Sequence, residues 1–318
     1  MIRCLTISAC LATAATAHAA PQERIEENVE VAVANAVLHG TLLVPAQPAA
    51  RVVALIIAGS GPTDRNGNSP LLPGPNNGLK MLAEGLADAG IASLRYDKRG
   101  IGASRATGNE ADLRFTTFSD DAAAFIRLLQ RDKRFSKVVV IGHSEGALLG
   151  TIAARETNAD GVILLAGAGR PIAEAIREQL KAGAPALAEP AGRIMQELMA
   201  GRTVADVPPS LMMLFRPSVQ PYMISWLPLD PRDELARVRA PRLVIQGTTD
   251  VQISVADARR LAEAGGVQLE LIDGMNHVLK HASGTPQEQM SKSYGDPSLP
   301  LAAELLPAIV RFIGTNVR

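Results

Sequence analysis

Gly142-His143-Ser144-Glu145-Gly146 is the stretch whose residue types can do chemistry. An apolar β-branched run, Val138 to Ile141, precedes it, and small and apolar residues at helical spacing, Ala147 to Gly150, follow it. That is the pattern of a strand, a sharp turn carrying a serine, and a helix. The turn lifts the hydroxyl to the top of a sheet, and the helix aims its first amides at whatever charge forms there. A serine hydroxyl is a poor nucleophile at neutral pH, so it needs a base to take its proton and an acid to orient the base. Two later positions supply these types. Asp250 closes Gln246-Gly247-Thr248-Thr249-Asp250 where one strand ends, and His277 closes Gly274-Met275-Asn276-His277 after the last strand. In these roles Ser144 attacks. His277 takes its proton and returns one to the leaving group, while Asp250 fixes the imidazole tautomer and stabilises the imidazolium.

Rival residues are few. His143 is adjacent to Ser144, so its side chain should point away, and it reads as packing. His281 reads as a residue of the loop rim, Asp273 as a turn former and Asp257 as a surface helix residue; His18 and His39 are far from any strand end. For Asp250 the competing role is a helix cap, and for His277 a hydrogen-bonded loop histidine. An oxyanion needs two backbone N–H groups. One is that of Glu145, and the other comes from the loop Gly59-Ser60-Gly61-Pro62, with Ser60 chosen by position and Gly61 next. A phosphate cradle there fails, because no Gly-Lys-Ser/Thr follows and no G-x-G-x-x-G opens the next helix. A carboxylate at Glu145 would disfavour anionic substrates if it faced the pocket.

These residues must be held by strands. Val29–Ala34 and Val37–Val44 read as an antiparallel edge. Val52–Ala58, Ile91–Tyr96, Lys137–Ile141 and Gly161–Ala166 are apolar runs suited to strands covered on both faces. Helical periodicity at Asn77–Ala89, Phe118–Arg131 and Glu145–Ala154 alternates with them. That rhythm predicts an α/β fold with a mostly parallel, doubly wound sheet, whose ligands sit outside the strands' carboxyl ends. Asp97-Lys98-Arg99-Gly100 reads as a turn whose Asp and Arg tie adjacent loops together. From Arg170 the rhythm breaks. Residues 170–233 show helices at Ile172–Leu180 and Gly192–Met199, many prolines, five of the nine methionines and the only tryptophan, Trp226. This predicts a helical cap inserted between two halves of the core, 20–169 and 234–318. The rhythm then resumes with strands at Arg242–Gln246 and Val267–Ile272, a helix at Val255–Ala264, a polar loop from His281 to about Leu299, and a closing helix at Leu301–Ile313.

Composition narrows the function. A chain of 318 residues that is 47% hydrophobic can bury one large core. Lys+Arg and Asp+Glu balance at 32 each, so no basic stripe points to nucleic acid. Residues 1–19 read as an export signal: a positive start, an apolar stretch from Cys4 to Ala17, and Ala17-His18-Ala19 before cleavage. Export to the periplasm or medium is expected. Cys10 lies too close to the start for a lipidation site. Both cysteines, Cys4 and Cys10, fall in that signal, leaving no thiolate for catalysis or metal binding in the mature chain. No later segment is apolar enough to span a membrane.

With the elbow, the Gly59-Ser60-Gly61-Pro62-Thr63-Asp64-Arg65 loop and Arg95-Tyr96-Asp97-Lys98-Arg99-Gly100-Ile101-Gly102 in view, the chain resembles an α/β-hydrolase of the serine type, most of all bacterial carboxylesterases with that loop. Ala58 stands where many lipases have His before the Gly. The resemblance implies a triad of Ser144, Asp250 and His277, an acyl-enzyme intermediate and no cofactor. The expected substrate is a small carboxylic ester of short to medium acyl length, with Met212-Met213-Leu214-Phe215 and Trp226 as an adaptable apolar pocket or, equally, as plain cap packing. A peptidase or thioesterase on the same triad and a non-catalytic secreted binding protein are the alternatives.

Overall fold

The computed structural model describes residues 23–47 and 50–317; the expected signal, 1–19, with Cys4 and Cys10, lies outside the described residues. Nine strands form one mixed sheet among these residues: β1 (Arg24–Val33), β2 (Ala36–Pro45), β3 (Val52–Ile57), β4 (Ala92–Tyr96), β5 (Arg105–Ala106), β6 (Lys137–His143), β7 (Gly161–Leu165), β8 (Arg242–Gly247) and β9 (Val267–Ile272). Their order is β1-β2-β4-β3-β6-β7-β8-β9, with β5 paired to β2. The edge from β1 through β2 to β4 is antiparallel, and every pairing from β4 onward is parallel.

The central parallel strands β3, β6 and β7 are apolar along their buried length because both faces are covered, whereas the edge strand β9 alternates with Gln268 and Glu270 and is part-exposed. Val53, Leu55, Ile57, Val138, Val140, Val162 and Leu164 enter one core. Ala54, Ile56, Val139, Ile141, Ile163 and Leu165 enter the other. A one-residue slip would exchange the two sets, and each fully buried Leu or Ile is worth about 1.5–3 kcal/mol, so the register is fixed by packing. Helices α1 (Gly78–Asp88), α2 (Phe115–Arg131) and α3 (Glu145–Thr157) follow β3, β5 and β6. The apolar side of α1 fills the second core, while those of α2 and α3 fill the first.

Between β7 and β8 the described chain has no strand. It forms α4 (Ile172–Gly183), α5 (Pro185–Met199), α6 (Met212–Phe215), α7 (Gln220–Trp226) and α8 (Pro231–Ala236). Ile176, Ile194, Met195, Leu198, Leu211, Phe215, Met223 and Leu227 make a separate apolar cluster. Its seam with the body is aromatic: Trp226 stacks on Phe115 with centroids 5.3 Å apart, and Tyr222 meets Phe118 edge-on at 5.6 Å. After β8 come α9 (Val255–Ala262), α10 (Pro286–Lys292) and α11 (Leu305–Asn316).

Some boundaries differ from the sequence expectation. Helix α5 begins at Pro185, the first-turn position where a missing N–H costs nothing, and runs through Pro190. The polar stretch after His281 contains α10, which is opened by a capping box between Thr285 and Glu288. Asp257 is not a surface residue. It is 2% exposed, pairs with Arg170 and accepts from the Gly169 amide, tying the start of the helical segment to α9. That role depends on a neighbour 87 positions away and leaves no local signal.

Candidate active site

Strand β6 delivers Ser144 in a strained backbone conformation, φ 55° and ψ −120°, immediately before α3. The turn closes only because its flanks lack side chains. A Cβ on Gly142 would lie 2.1 Å from the Gly146 carbonyl oxygen, and one on Gly146 would lie 2.4 Å from that of Ile57. The Ser144 amide donates to Leu165 at 2.9 Å, so the turn stays anchored to β7.

Asp250 and His277 meet across the ends of β8 and β9. The loops can touch because Gly247 has no Cβ, which would stand 1.9 Å from the Met275 oxygen. His277 Nδ1 is 2.9 Å from Asp250 Oδ2. The carboxylate also accepts from Gln246 Nε2 at 3.0 Å and from the amides of Gln252 and Ile253 at 2.8 and 3.0 Å. Burial pushes this carboxyl up, but the His277 ring and those amides outweigh it and hold it below the usual aspartate range. Such an acid stays ionised and can stabilise an imidazolium. The stability its charge contributes is present at neutral pH and lost as pH falls through its depressed value. Asn276, whose amide donates to Ser293 at 2.9 Å, anchors the turn that carries His277.

Ser144 and His277 line one cavity of about 470 Å³. No hydrogen bond joins the Ser144 hydroxyl to the ring among the described residues. With Nδ1 engaged by Asp250, the free nitrogen is Nε2, the one a general base would use. His143 is closer to this centre than the sequence suggested. Its ring lies 4.9 Å from that of His277, and its Nε2 donates to the His277 carbonyl at 2.8 Å, so it braces the loop from below. Burial, with the nearby His277 ring, pushes its pKa down to about 4 and keeps it neutral. His281 pairs with Glu304 on the exposed rim, and Asp273 accepts from Thr248 in the neighbouring turn.

The amides expected to meet an oxyanion are those of Ser60 and Glu145. Gly59 lies against the nucleophile: a Cβ there would be 3.1 Å from that of Ser144. Neither the Ser60 nor the Glu145 amide has an acceptor among the described hydrogen bonds. The Glu145 carboxylate faces away from the catalytic cavity. Lys98 Nζ lies 3.3 Å from its Oε2, and the Tyr222 hydroxyl donates to Oε1. Its charge is thus answered, which removes the reason to expect discrimination against anions. Burial, and then the Glu145 charge, raises the Tyr222 pKa well above the ordinary tyrosine value. These three side chains line a second cavity of about 450 Å³ with Gly61, Pro62 and Arg216. Lys98 had no individual signal within Asp97-Lys98-Arg99-Gly100. Asp97 and Arg99 bind Arg65 and Asp121, whereas the lysine between them turns inward.

Of the two readings of Met212–Phe215 and Trp226, pocket wall or cap packing, the structure favours packing, and other residues wall the cavity that holds Ser144. Leu71, Leu72, Val251, Val278, Met290 and Tyr294 line it. Phe215 is buried in the helical cluster, Trp226 stacks on Phe115, and Met212 and Met213 face solvent. No Asp, Glu, Lys or Arg lines this cavity among the described residues. Among those residues there is also no cluster of three His, Cys, Asp or Glu side chains that could hold a metal ion.

Comparison with known proteins places this arrangement. A sequence model of the family described as serine aminopeptidase, S33, matches residues 77–220, which include Ser144 and end before Asp250 and His277. Esterase EstD of Thermotoga maritima is 29% identical over 273 residues, covering 81% of this chain; the chain spans 62% of that relative's length. Among solved structures, Est1E of Butyrivibrio proteoclasticus, with ferulic acid bound, superposes with a TM-score of 0.61 at 16% identity, covering 91% of this chain and 99% of that one. An esterase of Pyrococcus furiosus does so with a TM-score of 0.59 at 15% identity, covering 96% and 97%. The sheet order and these superpositions show that the chain has the α/β-hydrolase fold, and in sequence it is similar to the serine aminopeptidase family model and to the Thermotoga esterase.

Proposed function

We propose that the chain hydrolyses carboxylic esters of short to medium acyl length through an acyl-enzyme on Ser144. The observation that carries this reading is the buried 2.9 Å contact between Asp250 and His277, whose ring lines the same cavity as Ser144. His277 Nε2 takes the Ser144 proton as Oγ bonds to the ester carbonyl carbon. The carbonyl electrons move onto oxygen, facing the amides of Ser60 and Glu145. Collapse expels the alcohol, which receives the proton from His277. Water then attacks the acyl-enzyme by the same route and releases the acid and free Ser144. An uncharged cavity with aliphatic walls suits a neutral ester. The esterase relatives support the same class.

A peptidase is the second reading, favoured by the description of the matching family. A free α-amine needs a carboxylate to meet it, and the catalytic cavity has none among the described residues. Fluorophosphonate labelling tests the nucleophile, and parallel turnover of p-nitrophenyl esters and amino-acid p-nitroanilides tests the class. The ester reading expects labelling lost in Ser144→Ala, together with ester turnover that peaks at short or medium chains. Anilide turnover exceeding ester turnover would favour the peptidase. Export belongs to the same proposal. It predicts that the chain recovered outside the cytoplasm begins at Ala20, and a chain retaining residues 1–19 contradicts it.

A further inference from the structure

Gly59 and Ser60 share one peptide unit. In a planar trans peptide the C=O of the first residue and the N–H of the second point in opposite directions. Fixing the Gly59 oxygen therefore fixes where the Ser60 N–H aims. Lys98, two residues beyond β4 and 5% exposed, donates from Nζ to that oxygen at 2.5 Å. The same Nζ lies 3.3 Å from Glu145 Oε2, and Tyr222 holds the other carboxylate oxygen. The Gly59 peptide runs against Ser144, so its direction decides whether a donor or an acceptor faces the reacting carbonyl.

We propose, building on the ester-hydrolase reading, that Lys98 is a positioning residue that locks the Gly59–Ser60 peptide with its N–H toward Ser144. The Glu145 carboxylate serves as the anchor that holds Lys98 there. Glu145 then contributes to both halves of the oxyanion hole: its own amide is one donor, and its side chain fixes the other through Lys98. A flip of the Gly59–Ser60 peptide would replace a donor by a carbonyl oxygen facing the developing negative charge. Lys98 opposes that flip, because Gly59 O would lose the ammonium. The substrate is not touched by Lys98, so ground-state binding is independent of it while the tetrahedral intermediate is not.

The test uses the full chain with Lys98→Met, Lys98→Gln and the double variant Lys98→Met/Glu145→Gln. The double variant removes both buried charges, so a lone unpaired carboxylate does not decide folding. With p-nitrophenyl acetate, Lys98→Met should lower kcat about 100-fold with KM within about twofold. The inhibition constant of a trifluoromethyl ketone, which forms a tetrahedral adduct on Ser144, should rise by the same factor. Lys98→Gln keeps an N–H donor and should recover part of the loss, whereas the double variant should not, although it melts cooperatively. A folded Lys98→Met or double variant whose kcat and ketone affinity stay within about threefold of wild type overturns the proposal. So does a loss confined to KM. Wild-type protein that neither turns over esters nor takes up fluorophosphonate overturns the ester reading instead, and this proposal with it.

Discussion

The two cavities that meet at the Gly59–Pro62 loop are built from opposite materials. The one holding Ser144 and His277 is walled by Leu71, Leu72, Val251 and Met290 and has no charged lining residue among those described. The other, on the far side of Glu145, has Lys98, Arg99, Glu110, Glu145 and Arg216 in its walls, each with an opposite charge beside it. On the proposed ester-hydrolase reading they do different work. Where charge must appear and vanish during a reaction, a fixed ion would bind it at every stage and gain nothing at the transition state, so oriented amides serve better. Where loops must be held in place, paired charges with several hydrogen bonds give direction as well as attraction. The Gly59–Pro62 loop is the wall between these two environments.

Variants that break this contrast rank by size. Asp250→Asn keeps the shape but lets His277 take the wrong tautomer, and kcat should fall by about 10⁴-fold in steady-state ester assays. A loss under about tenfold would mean that another group orients the base. His143 tests the neutrality of the catalytic side through stability. Above pH 6.5 the ring is uncharged whether folded or not. Between 6.5 and about 4 the unfolded chain takes up a proton that the folded chain refuses, so stability falls as pH falls through that window. The drop should total about 3 kcal/mol in denaturant titrations, and His143→Gln should flatten it.

Smaller effects sharpen the assignment of the walls. Met290→Trp fills the apolar side of the catalytic cavity. It should lower kcat/KM for a hexanoate ester relative to an acetate about tenfold. The same ratio unmoved would place the acyl chain elsewhere. On the charged side, Arg216 pairs with Glu110 near the surface. Arg216→Ala should leave kcat within about twofold and cost no more than about 1 kcal/mol of stability. A large kcat effect there would mean that the second cavity takes part in substrate binding.

The placement of Ser144, Asp250 and His277 was legible in the sequence because each follows a strand pattern that local physics writes plainly: Val138–Ile141 before Ser144, Arg242–Gln246 before Asp250, Val267–Ile272 before His277. The sheet order brings those ends together, and strand runs with the order of elements imply it. The charged side was not legible. Lys98 lies between two charged residues that do bind loops, and nothing local separates an inward lysine from an outward one. Its partner Glu145 is 47 residues away. The choice between pocket and packing for Met212–Phe215 and Trp226 stayed open in the sequence for a related reason, and the structure shows packing for Phe215 and Trp226. Phe215 and Trp226 are apolar because the inserted helices need a core and a seam of their own, and composition cannot distinguish that need from a substrate pocket. The true walls include Met290 on α10, a two-turn helix inside a polar stretch whose capping box was the one readable signal.

The central claim is a covalent bond between substrate acyl carbon and Ser144 Oγ. Acid quenching during turnover of p-nitrophenyl acetate, followed by mass mapping of the digested protein, tests it directly. The account predicts one acetyl group on the peptide containing Gly142-His143-Ser144-Glu145-Gly146, formed within the burst of p-nitrophenol release and missing in Ser144→Ala. Turnover with no adduct, or with the acetyl group on another side chain, would contradict it.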